Sequence, residues 1–114
     1  MKTLDEAKLS KIEHESIKEA ARVLMTELPV TRVILFGSKA RGNAEPDSDI
    51  DLLVLTSCPV TTELRREISY RIADVNLEYD VSPSRIAASE DDWKNGLIRY
   101  MPIHGNIERE GCLV

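Results

Sequence analysis

No apolar run in the 114 residues approaches the roughly 20 needed to cross a bilayer as a helix, so no membrane association is expected. The first residues, Met1-Lys2-Thr3-Leu4-Asp5-Glu6, are polar and acidic and carry no signal-peptide apolar core, which makes a cytoplasmic location the simplest expectation. Cysteine is scarce. Cys58 and Cys112 show no metal-type spacing and read as free thiols of a reducing compartment. A basic excess is missing too, because 15 Lys and Arg stand against 20 Asp and Glu, for a net charge of −5. Gripping nucleic acid as a main task calls for a positive field against phosphates, so general DNA or RNA binding is not expected. There is no repeat, low-complexity run or linker, and the length suits a single domain over 1–114 with its own core. A composition that is 42% hydrophobic and 31% charged is that of a globular protein rather than a disordered one.

What is present is concentrated between Val33 and Leu55. Val33-Ile34-Leu35-Phe36 is apolar and β-branched and reads as the end of a buried strand over Thr31–Phe36. It stops at Gly37-Ser38, and a polar loop rich in Gly, Asn, Pro and Asp follows. A second apolar run, Ile50–Leu55, carries Asp49 and Asp51 at its start. Side chains alternate across a strand, so Asp49 and Asp51 share one face while Ile50, Leu52 and Val54 share the other. Two adjacent carboxylates beside a glycine turn are a seat for a hard cation such as Mg²⁺, with room for polyphosphate nearby. Ser38 is expected to start a short helix through Arg41, whose first N–H groups suit phosphate. Gly37 lets phosphate oxygens approach the backbone, Ser38 adds a hydroxyl, and Lys39 and Arg41 are candidate neutralising charges. Asp47 and Ser48 are expected to shape the turn through local bonds to the backbone. Each half alone is an ordinary turn; their combination is what points to a site.

Around this segment, Leu4–Glu27 reads as a helix with Ile17, Ala20, Ala21, Leu24 and Leu28 inward, ended by Pro29. Val60–Asn76 is a second helix, capped by Thr61 or Thr62 and buried through Leu64, Ile68, Ile72 and Val75; its basic residues Arg65, Arg66 and Arg71 read as a solvated face. Leu77-Glu78-Tyr79-Asp80-Val81-Ser82 alternates strictly and reads as a third strand, with Glu78 and Asp80 on its polar face. Arg85–Ala88 is extended, Ser89 caps a helix containing a core Trp93, and Ile103–Glu110 is a last helix stopped by Gly111. His14 and His104 read as surface or packing residues. Strands interleaved with helices give an α/β (α+β) fold: a small mixed sheet of three to four strands, backed by helices on one side.

Gly37-Ser38, ten intervening residues and Asp49-Ile50-Asp51 together resemble the signature of the nucleotidyltransferase superfamily typified by DNA polymerase beta. Gly37-Ser38-Lys39-Ala40-Arg41-Gly42 is similar to the minimal nucleotidyltransferases of bacteria and archaea, often encoded beside a HEPN protein as its antitoxin. The likeness runs from Val33 to the C-terminus. It implies a polymerase beta-like fold, two Mg²⁺ ions held by Asp49, Asp51 and a third carboxylate, and a triphosphate on Gly37 and Ser38. Asp80 matches the third position best, with Glu78 as the alternative. The resemblance further implies ATP as substrate and transfer of AMP to a protein hydroxyl, a tyrosine of a cognate HEPN toxin, within a homodimer or a complex with that toxin. Two other readings stay open: transfer to a small aminoglycoside-like molecule, and a non-catalytic antitoxin that neutralises by contact.

Overall fold

The structure is a computed structural model that describes residues 1–42, 49–79 and 83–114. Among these, strands β1 (Lys2–Thr3), β2 (Val30–Phe36), β3 (Asp51–Thr56), β4 (Ser84–Ser89) and β5 (Cys112–Leu113) form one sheet in the order β1-β5-β2-β3-β4. The helices are α1 (Lys11–Glu27), α2 (Ser38–Arg41), α3 (Thr62–Tyr79), α4 (Glu90–Asn95) and α5 (Pro102–Glu110), with 3₁₀ turns at Leu4–Glu6 and Leu97–Tyr100. The fold is the mixed α/β arrangement expected, with one strand more than the upper estimate. The additional pairing comes from two-residue strands too short to announce themselves by periodicity.

β2 and β3 are antiparallel, with Val33 opposite Val54 and Phe36 opposite Asp51. β4 runs parallel to β3, with Asp51 in register with Ser84, and α3 makes the crossover between them. Helices cover both faces of the sheet, not one. Val33, Leu35, Leu52 and Val54 pack with Ile17, Ala21 and Leu24 of α1 and with Ile68 and Ile72 of α3. On the opposite face Ile34, Leu53 and Leu55 pack with Trp93 of α4 and Ile107 of α5. This is why β2 and β3 are apolar without interruption: strands buried on two sides have no polar face to alternate with.

α1 begins later than expected because Ser10 and Glu13 form a reciprocal capping box, Glu13 N–H donating to Ser10 Oγ at 3.1 Å and Ser10 N–H to the Glu13 carboxylate at 2.9 Å. The strand expected over Leu77–Ser82 is also corrected. Leu77, Glu78 and Tyr79 are the last turn of α3, and Leu77, expected in the core, is 87% exposed. The stripe Ile68, Ile72 and Val75 continues past Asn76 at helical spacing, so the helix runs on.

Candidate active site

β2 delivers Gly37 and β3 delivers Asp51 to the same end of the sheet, because Phe36 and Asp51 are partners in register. Gly37 has φ +81° and ψ −160°, a conformation open to glycine and strained for other residues. A Cβ at this position would lie 2.5 Å from Oδ2 of Asp51. The glycine therefore does two things: it turns the chain into α2, and it leaves the space the Asp51 carboxylate occupies. Gly42 closes α2 in the left-handed conformation, its N–H donating to the Ser38 carbonyl at 3.0 Å.

Asp49 is exposed and Asp51 partly buried at the start of β3. Burial, then the negative charge of Asp49, pushes the Asp51 carboxyl above its ordinary value, against the opposing pull of Arg41. Two like charges held together, one partly desolvated, form an unfavourable pair that a divalent cation relieves. With hard oxygen donors and the Asp51 carboxylate seated against the Cβ-free glycine, the pair fits such an ion. Among the described residues no cluster of three metal-binding side chains is present. Asp80, Asp47 and Ser48 lie outside the described residues, and Glu78, the alternative third carboxylate, is exposed on α3.

The two cations differ from expectation in their surroundings. Lys39, read from the sequence as a phosphate neutraliser, is buried, and its Nζ lies 3.0 Å from the Glu13 carboxylate. Burial pushes Glu13 upward, but the Ser10 N–H and Lys39 together hold its carboxyl below the ordinary value. Lys39 thus ties α2 to the first turn of α1 beneath the glycine turn. Arg41 pairs with Glu110 of α5 at 3.3 Å and is close enough to act on Asp51. Ser38, partly buried, stands at the start of α2 as expected. Sequence reading passed over Ser84, whose N–H donates to the Ile50 carbonyl at 2.7 Å and extends the β3–β4 ladder to the carboxylate end. Nothing in a lone serine after a proline signals that register.

The nucleotidyltransferase domain model matches residues 17–102, which span the glycine turn, the carboxylate pair and β4. A protein of Methanocaldococcus jannaschii named "Putative protein adenylyltransferase" is 38% identical over 74 residues, covering 63% of this chain and 75% of that one. The fold is similar to that of a toxin–antitoxin crystal structure with AMP-PNP, at 18% identity over 84% of this chain and 69% of the other, TM-score 0.56. It is also similar to a tyrosine-to-alanine variant of the toxin–antitoxin pair MntA–HpeT, at 20% identity over 94% and 72% of the two chains, TM-score 0.54.

Proposed function

The chain belongs to the nucleotidyltransferase domain family and is an enzyme of that class, and from that premise we propose that it transfers AMP from ATP to a protein hydroxyl, a tyrosine of a HEPN-type toxin, and so acts as an antitoxin. The observation that carries the reading is the carboxylate pair Asp49/Asp51 set against the Cβ-free surface of Gly37. Asp49 and Asp51 would hold the divalent cation, Mg²⁺ in this reading and two ions in all, with Asp80 proposed as the third ligand. When bound, Mg²⁺ supplies Lewis-acid neutralisation of the charge on the transferring phosphoryl group. Gly37 admits the β- and γ-phosphates to the backbone, and the Ser38 hydroxyl donates to them. Arg41, at the other end of α2, adds positive potential near Asp51.

In the transfer, the acceptor oxygen bonds to the α-phosphorus, the bond from that phosphorus to the bridging oxygen breaks, pyrophosphate leaves, and the hydroxyl proton passes to solvent. A phosphodiester added to tyrosine brings negative charge and bulk, which block a ribonuclease site electrostatically and sterically. Support for the protein acceptor comes from the adenylyltransferase name of the relative and from the toxin–antitoxin neighbours of the fold.

Incubation of the neighbouring gene's product with this protein, Mg²⁺ and each NTP in turn, followed by intact-mass measurement, tests the reading. A gain of one or more nucleoside monophosphates is expected, with ATP preferred. Asp49→Asn with Asp51→Asn should lower the rate by about 10³-fold or more with the fold intact. A tight complex without any mass gain would replace transfer by neutralisation through contact.

A further inference from the structure

We propose that the groove between α3 and the free edge of β4 docks an acidic, extended segment of the acceptor polypeptide, an inference that rests on the protein-acceptor reading above. The groove has a volume of about 390 Å³ and is lined by Arg65, Ile68, Ser69, Ser84, Arg85 and Ala87. Its β4 edge begins level with Asp51, the partner of Ser84, while the groove itself lies on the α3 face, opposite the face that Asp51 shares with Leu53.

In-line displacement places the incoming hydroxyl and the departing pyrophosphate on opposite sides of the α-phosphorus. With the triphosphate on Gly37 and Ser38, pyrophosphate leaves on the β2 side of β3. The acceptor oxygen therefore arrives from the β4 edge, and a strand paired there presents alternate side chains to the carboxylate face and to the groove.

The chemistry of the groove selects its occupant. Arg85 is in register with Leu52 and so shares the sheet face that α3 covers; Arg65 reaches the same groove from α3. Both are exposed, and among the described residues neither guanidinium meets a carboxylate at ion-pair distance, whereas Arg22, Arg32, Arg41 and Arg71 do. Among the described residues Arg66, Arg99 and Arg109 also lack an ion-pair carboxylate, but Arg65 and Arg85, from two different elements, are the arginines that line this groove, and together they fit an anionic guest. Arg85 alone has a simpler role, guarding an edge strand against aggregation. That role does not explain Arg65 on a different element.

β4 is the last strand in the sheet order, and no strand among the described residues pairs with its outer side. Such an edge takes an extended peptide through main-chain hydrogen bonds, with side-chain contacts setting selectivity. A polynucleotide is disfavoured because its phosphates need a broad positive field, and this acidic chain offers only a local pair of arginines here.

The test uses a short fluorescein-labelled Glu/Tyr peptide, a Lys/Tyr peptide of the same length and a single-stranded RNA matching the acidic peptide in charge. Binding is followed by anisotropy and nucleotide incorporation by mass. The Glu/Tyr peptide should bind best, and Arg65→Glu with Arg85→Glu should weaken it about tenfold or more, with ATP affinity unchanged. Arg65→Gln with Arg85→Gln, checked by circular dichroism, gives an intermediate loss and covers a folding failure of the reversal. Unchanged peptide affinity in folded variants, equal binding of the Lys/Tyr peptide, or preference for RNA overturns the proposal. A peptide that binds through the arginines yet never acquires a nucleotide upholds the docking site and removes the protein-acceptor reading instead.

Discussion

The two ends of β3 treat charge in opposite ways. Near Thr56, opposite charges are paired. The Glu90 carboxylate accepts from Arg32 at 2.9 and 2.8 Å and from the Thr31 hydroxyl at 2.7 Å. Close by, Trp93 donates its indole N–H to Glu108 at 2.7 Å and packs its ring against His104 with centroids 4.4 Å apart. At the Asp51 end, two acids are set together and one of them is raised by burial and by the other. The first arrangement stabilises the fold; the second is a local cost, of the kind that the proposed cation site would relieve.

Neutralising a carboxylate should therefore move stability in opposite directions at the two ends, down for Glu90 and up for Asp51. The largest effect is expected for Gly37→Ala, where a Cβ at positive φ would collide with Asp51. A stability loss of about 1–3 kcal/mol in urea unfolding is expected, together with roughly 100-fold slower transfer from the displaced carboxylate. An Ala variant as stable and active as the parent would remove the steric link between the glycine turn and the carboxylates.

Glu90→Gln should cost about 1 kcal/mol, discounted because both partners are more than a third exposed. Arg32, first of all, holds the Glu90 carboxyl below its ordinary value. Its stabilisation is thus present above the unfolded carboxylate range and lost as pH falls through the lower folded value. Unfolding midpoints of the Gln variant should accordingly fall less on acidification than those of the parent.

Asp51→Asn should do the reverse and by less, raising stability at neutral pH by a few tenths of a kcal/mol, about what a relieved like-charge pair contributes. Because the folded value is raised, the protonated form is the one the fold favours. The relative stability from this group is fullest below the unfolded value and disappears as pH rises through the folded one. A thermal shift series across pH, with transfer abolished in the same variant, checks the sign.

The sheet's centre is legible in the sequence because its cause is local: Val33–Phe36 and Ile50–Leu55 are apolar runs too short for helices, bounded by turn residues. The glycine turn and the carboxylate pair are legible for a similar reason, since residue type and spacing carry their chemistry. The end of α3 is misread because the alternation of Leu77-Glu78-Tyr79 satisfies a strand as well as the last turn of a helix. The four-residue step from Val75 to Tyr79 is the signal that favours the helix. Lys39 and Glu13 are 26 positions apart, and no local pattern reveals that folding buries one against the other. The strand pairings of β1 and β5 are invisible for the same reason, being made by contact with distant partners.

Those two strands bear on how the molecule loosens. Among the described residues β1 is held in the sheet by β5 alone, Lys2 facing Cys112 and Thr3 facing Leu113, so the pairing closes a very long stretch of chain with a short ladder. Such a pairing forms late and opens early, well below the free energy of global unfolding. The Lys2 ammonium also donates to the Ala40 carbonyl at 3.0 Å, on the helix that follows the glycine turn. Each fraying of this edge therefore releases a tether on α2, and slow amide exchange over Ala40–Gly42 should rise and fall with that over Lys2–Thr3.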